Sequence, residues 1–300
     1  MGFSYGFRVS GGVLQNLRSL LSIVILTFNR ASELRTTMRQ LLALPEVPDI
    51  VIVDNASTDD TVTIASKEFP QARLIRLREN IGAAARNIGV EAVRTPYVAF
   101  CDDDSWWAPG SLEKAAEVFE AYPRVAALCA RILLGPQNRE DPICRVLADS
   151  PLPSDGLPGR SLLGFIACAT IVRRRPYLDA GGYEQKFFVG GEEELLSLDL
   201  VSNGWRVVYL PELTVHHHPS PQRDNPGRQV IVIRNSLWVS WLRLPLRSAL
   251  RETLRTCHSA KNPRILLKAV GNAARELPWV WRKRKVLAPE TLRLYHLLHQ

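Results

Sequence analysis

Three consecutive aspartates, Asp102-Asp103-Asp104, form the densest group of chemically capable side chains in the sequence. Mutual repulsion at that density is costly unless a cation neutralises it. Asp102 and Asp104 are one residue apart, so in a turn or extended conformation both carboxylates can face one hard ion, Mg2+ or Mn2+. Phosphate oxygens and water would complete its octahedron. His216-His217-His218, following a strand expected over residues 206–210, can add an imidazole, and any of the three could be the one that reaches. A second acidic group, Glu192-Glu193-Glu194, follows Gly190-Gly191 at the start of an expected helix. Acidic residues suit helix N-termini because of the dipole. Three exceed what capping needs, and one held over a cleft can serve as a general base. Arg86-Asn87 close a loop of small residues that enters a helix, a place where a guanidinium can pair with a diphosphate.

The elements that must position these groups are legible as an alternation. Short apolar runs at residues 22–27, 50–53, 73–77 and 97–101 read as strands, the first of them buried on both faces and the second buried. Helical patterns follow at residues 32–44, 61–69 and 83–93, the first with Ser32 as its expected cap. Four alternations predict a mostly parallel, doubly wound α/β sheet flanked by helices. Ligands of such sheets lie outside the carboxyl ends of the strands. Asn29, Asp54 and the aspartate triplet each follow the last apolar residue of a different strand, so they are expected on one edge of the sheet. Asp59 and Asp60 sit where a helix cap is needed and are read as caps.

Composition bounds the remainder. The 300 residues are 46% hydrophobic and 23% charged, which excludes a disordered, collagen-like or disulfide-framework chain. No apolar run approaches the ~18–20 residues of a membrane span, and the first twelve residues do not read as a signal peptide. Five widely spaced cysteines without a CxxC read as reduced thiols of a cytoplasmic protein. The net charge of +8 is uneven: residues 221–300 hold 16 basic and 4 acidic side chains, whereas residues 1–220 hold 22 and 26. Leu242, Leu246, Leu250 and Leu254 recur every fourth position with Arg243, Arg247, Arg251 and Arg255 beside them, and Pro245 marks a break. With Trp279, Trp281 and residues 282–285, this basic helical region suits either the anionic face of a membrane or a solvated flank of the protein itself. Zinc-finger spacing and interleaved aromatics are missing, so no nucleic-acid partner is expected. The absence of GxGxxG after the first strand disfavours a dinucleotide enzyme.

Seven stretches, in order, resemble family 2 glycosyltransferases, whose nucleotide-sugar-binding fold is called GT-A. They are residues 23–30 (IVILTFNR), 52–61 (IVDNASTDDT), 80–89 (NIGAAARNIG), 98–107 (VAFCDDDSWW), 180–194 (AGGYEQKFFVGGEEE), 211–217 (PELTVHH) and Arg234-Asn235. The resemblance implies that Thr27, Asn29, Arg30 and Asp54 line a base and ribose pocket, with Arg86, Asn87, Asp102 and Asp103 also on the nucleotide sugar. It implies Asp104 as the main metal ligand, with Asp102 and His217 contributing, and Gly181, Gly182 and Tyr183 on the acceptor side. Glu193 stands where the family places an aspartate as base, with Glu192 the second candidate. The implied organisation is an N-terminal extension over 1–20, a catalytic domain over 21–225 divided near 105 into nucleotide and acceptor halves, and a helical basic region over 226–300. The implied activity is inverting, metal-dependent transfer from a nucleoside-diphosphate sugar to a hydroxyl of a glycan, a lipid-linked acceptor or a small molecule. The alternative is a catalytically impaired module of the same fold that binds partners or tethers to membrane.

Overall fold

A computed structural model describes residues 17–219, 226–260 and 262–299; most of the N-terminal extension expected over 1–20 lies outside them. The first half follows the expected alternation: β1 (Leu21–Thr27), α1 (Ala31–Leu42), β2 (Asp49–Asp54), α2 (Thr61–Glu68), β3 (Arg73–Arg76), α3 (Ala85–Ala92) and β4 (Tyr97–Asp102). Strands β3, β2, β1 and β4 lie side by side and parallel, and the interiors of β1, β2 and β4 are buried. Val, Ile and Phe dominate these three because helices cover both faces of the sheet.

Beyond β4 the sheet becomes mixed. The next elements are β5 (Ser105–Trp107), α4 (Ser111–Ala121), β6 (Val125–Leu134), β7 (Arg139–Glu140), α5 (Pro142–Ala148), β8 (Arg160–Leu162), β9 (Thr170–Arg173), α6 (Arg174–Asp179), α7 (Glu192–Ser202) and β10 (Arg206–His217). β9 inserts antiparallel between β4 and β6, β10 runs parallel to β6, and β5 pairs antiparallel with β10 at its end. Among the described residues five helices follow: α8 (Pro226–Arg243), α9 (Leu246–Ser259), α10 (Pro263–Arg275), α11 (Leu277–Lys283) and α12 (Pro289–Leu298). Pro245 breaks α8 from α9 as expected.

Two local expectations change. The strand expected to stop at residue 210 continues to His217, with a register shift against β6 between Leu210 and Thr214. Pro211, which has no N–H to give a ladder, sits in that irregular stretch, and His216 and His217 are therefore strand residues. Helix α1 starts at Ala31, with Ser32 inside it. Its first amide groups are satisfied from the next loop, Ala31 N–H by Asp59 (3.4 Å) and Arg30 N–H by the Thr61 hydroxyl (3.0 Å). Asp59 also accepts the Thr61 N–H at 3.0 Å, so one carboxylate serves two helix starts.

Helix α3 approaches the sheet through Gly89. A Cβ there would stand 2.4 Å from Val24 Cγ1 and 3.1 Å from Val53 Cγ2. Gly89→Val is expected to lower stability by about 2–3 kcal/mol through overpacking, read in urea denaturation as a lower midpoint at unchanged slope.

Candidate active site

A cavity of about 780 Å3 opens at the carboxyl ends of β1, β2, β4 and β10. Thr27 and Arg30 reach it from the first strand and its loop, Arg86 from α3, Asp102 and Asp103 from the end of β4, and His217 from the end of β10. Glu192 and Glu193 enter from the first turn of α7. Residues remote in sequence therefore meet as the strand-end argument requires.

The buried guanidinium of Arg86 is the electrostatic centre. Its Nη2 donates a short hydrogen bond to Asp102, its plane lies 6.0 Å from the Phe100 ring, and its buried Nε–H lacks a partner among the described residues. Burial alone would lower its pKa, but Asp102, Tyr183, Glu193 and Glu192 outweigh that and raise it. Asp103 is pushed up to about 8 by burial and by its two neighbours in the triplet.

The three glutamates separate once the helix is formed. Glu192 is 4% exposed, its Oε2 is buried without a partner among the described residues, and burial raises its pKa. Glu193 is raised to about 8 by burial and by the charge of Glu192. Glu194 does not line the cavity; burial and Glu252 of α9 push it to about 7.

The histidines separate by strand alternation. His217 pairs in register with Ser105, and its Nε2 stands 3.4 Å from Asp104 Oδ1. His216 and His218 instead flank Trp106, with centroids 5.6 and 4.7 Å away, and His216 Nδ1 lies 2.8 Å from Asn138 Oδ1. Among the described residues no group of three or more His, Cys, Asp or Glu side chains forms a metal-ligand cluster. Asp102 is turned to Arg86, and Asp104 and His217 stand together. One carboxylate and one imidazole fit a hard divalent ion that takes its other ligands from diphosphate and water.

Other residues expected at the site hold its walls. Asn29, left-handed at φ 52°, accepts the Thr58 N–H at 2.8 Å and gives its own N–H to Ser57 Oγ at 2.9 Å. Asp54, fully buried, accepts the Ser57 N–H at 3.1 and 3.3 Å and lies 3.9 Å from Arg76. Neither lines the cavity; the neighbouring Asn55 does, joined to Gly82 O at 3.0 Å and to Ile81 N–H at 2.9 Å. The Asn87 amide accepts from the Tyr177 hydroxyl (2.5 Å) and Tyr183 N–H (2.9 Å) and donates to Tyr183 O (2.9 Å). It thereby fixes the Gly181-Gly182-Tyr183 segment behind the site. The buried Tyr183 hydroxyl has no partner among the described residues, and burial and Glu193 raise its pKa.

Sequence reasoning singled out the segment that carries the glutamates but not the contacts that hold it. Phe188, with φ 63°, lines the cavity, and its carbonyl accepts the Ala83 N–H at 2.7 Å. A Cβ on Gly82 would come within 2.0 Å of that carbonyl, so glycine is required there. Buried Asn235 of α8 donates to the carbonyls of Phe187 (2.8 Å), Val189 (3.1 Å) and Gly190 (2.5 Å). Arg234 stacks over Trp238 at 4.2 Å and reaches Phe187 O at 3.1 Å. The Arg234-Asn235 pair was the available signal, although nothing in its spacing indicated the segment it holds. Arg228, also in the lining, carried no signal.

The family model for glycosyl transferase family 2 matches residues 22–179. The chain belongs to this family and is a glycosyltransferase of the GT-A fold. It is 26% identical to an N-acetylglucosaminyl-diphospho-decaprenol L-rhamnosyltransferase of Mycobacterium tuberculosis, covering 79% of this chain and 91% of that protein. The fold resembles a mannosyltransferase of Pyrobaculum calidifontis solved with GDP-Man and Mn2+, at TM-score 0.57 and 18% identity over 93% of this chain and 86% of that one. It also resembles GalNAc-T7 solved with UDP, GalNAc and Mn2+, at TM-score 0.59 and 13% identity, covering 76% of this chain but only 48% of that one.

A carboxyl whose pKa is higher in the folded than in the unfolded chain keeps its proton on folding. Glu193 and Glu194 therefore add no penalty below about 4.5; the penalty grows as pH rises and is complete above about 7–8. Thermal unfolding should give a falling Tm between pH 5 and 8.5, and Glu194→Gln should flatten part of that fall.

Proposed function

We propose that this protein is an inverting transferase that moves a sugar from a nucleoside-diphosphate donor to the hydroxyl of a lipid-linked cell-surface glycan acceptor. The single observation that carries this reading is the convergence of Glu192 and Glu193 with Arg86 and Asp102 across one cavity at the strand ends. The rhamnosyltransferase relative, named for a diphospho-decaprenol substrate, supports the acceptor class, and the neighbours solved with GDP-Man or UDP support the donor class. Five free cysteines, four of them buried, support a cytoplasmic setting.

Thr27, Arg30 and Asn55 line the wall for the nucleotide, and Arg86 faces the diphosphate. Glu193 is the general base: it takes the proton from the acceptor hydroxyl as that oxygen attacks the anomeric carbon. The bond to the diphosphate oxygen breaks on the opposite face, which inverts the configuration. A base near pKa 8 holds the hydroxyl proton better than an ordinary carboxylate does, and roughly a tenth of it is ionised at pH 7, rising to about half at pH 8. The charge of buried Glu192 adds to the effect of burial in raising the Glu193 pKa, and Glu192 stands second as base. Asp104 and His217 would hold Mn2+ or Mg2+, which when bound neutralises charge developing on the leaving diphosphate.

A thermal-shift screen of nucleoside diphosphates with Mn2+ or Mg2+ should single out one base. Saturation about 100-fold above Kd adds about 2.7 kcal/mol. Glu193→Gln should retain that shift while losing about 10²–10⁴-fold in kcat, and Asp104→Ala should lose the metal-dependent part of the shift. Transfer should rise with pH through about 8, and NMR of the product should show the anomeric configuration opposite to the donor's. A retained configuration, or Glu193→Gln at full activity, overturns the mechanism. Donor binding without transfer by the unaltered protein returns the impaired binding module.

A further inference from the structure

We infer that helix α9 is a docking surface for an anionic lipid bilayer. Leu246, Leu250 and Leu254 recur every fourth residue along it, and all three remain more than half exposed, at 53, 52 and 62%. At 1.5 Å per residue the row is about 12 Å long. Isolated exposed leucines are ordinary, whereas an aligned row is not. Arg247, Arg251 and Arg255 each follow a leucine of the row and are exposed beside it. One flank of α9 beside the row is occupied: Ala249 is fully buried, and Thr253 accepts a hydrogen bond from Trp241 Nε1 of α8 at 2.9 Å. The leucine row and the arginines on its other flank stay exposed outside those contacts.

Charge decides what covers it. Apolar side chains interleaved with guanidiniums match an interface of acyl chains below anionic headgroups. Acidic compensation is slight: Glu252 is the only acidic residue of α9, 3.8 Å from Arg251 and 3.9 Å from Arg255. Neighbouring helices repeat the combination. Leu267 of α10 is 75% exposed between Arg264 and Lys268, and Trp281 of α11 is 52% exposed before Arg282 and Lys283. Among the described residues no helix is long and apolar enough to cross a membrane, so this contact would be peripheral.

The surface also adjoins the candidate site. A hollow of about 490 Å3, lined by Thr256 and Ser259 at the end of α9, Val232 of α8 and Ile265 of α10, shares Arg228 with the large cavity. A bilayer on α9 would bring membrane-borne acceptors near the glutamates, which goes beyond the proposed chemistry without depending on it.

Flotation of the full chain tests this, with phosphatidylcholine vesicles and vesicles containing phosphatidylglycerol, without donor or acceptor. The protein should float with the anionic vesicles, and less so as salt is raised. Leu246→Ser/Leu250→Ser/Leu254→Ser and Arg247→Gln/Arg251→Gln/Arg255→Gln should each reduce partitioning by about tenfold or more. Nucleotide-induced thermal shifts should be unchanged in both, showing that fold and donor site are intact. Failure of the unaltered protein to float, or equal flotation of the variants, overturns the inference. So does light scattering in which the leucine variants only dissociate a dimer, since a second copy of the chain would then cover the row.

Discussion

The buried guanidinium of Arg86 sets the terms on which the carboxylates of the cavity coexist. Asp102, Glu192 and Glu193 all act on it, and it in turn favours the charged forms of the two glutamates. Removing one member of a buried ion pair leaves the other uncompensated, typically at about 3–5 kcal/mol. The cavity is therefore built around a cation already paired with Asp102. An anion bound there would replace one partner of Arg86 with another and so rearrange an existing balance.

The glutamates owe their position to backbone rather than to side-chain packing. The segment over residues 187–190 is held from one side by the Ala83 N–H and from the other by the Asn235 amide, which reaches three of its carbonyls. Gly82 makes the first contact possible by having no Cβ. Phe188 accepts a left-handed conformation as part of the same arrangement, a strain tolerated where surroundings over-determine the backbone. The loop before α3 and the turn that carries Glu192 and Glu193 are in this way one mechanical unit.

Much of this was legible in the residues. Continuous apolar runs located β1, β2 and β4, and the polar residues ending them located the cavity edge. The register of the glutamates was not legible, because it depends on how α7 packs against α8 and α12, which leaves Glu194 off the cavity lining. Nor was the fate of Asn29, Asp54 and Asn87: Asp54 turns to the Ser57 amide three residues on, whereas Asn29 and Asn87 bond Thr58, Tyr177 and Tyr183, which only the fold brings near. The length of β10 escaped because Pro211 reads as a terminator, although a bulge accommodates it. Ser32 was favoured as a cap on local grounds, while Asp59 does that work from another loop.

The reach of α8 has a consequence for how this chain can be divided. The match to the family model ends at residue 179, and composition changes near 225, so both invite a cut that spares the first half. Asn235 lies beyond either boundary, as does Arg243, which grips Asp199 of α7 with bonds of 2.6 and 2.7 Å. Severing the last helices would leave the carbonyls of residues 187–190 in search of other donors and the acidic turn without its anchor. Helices that seem appended by their composition are, for the reacting groups, part of the foundation.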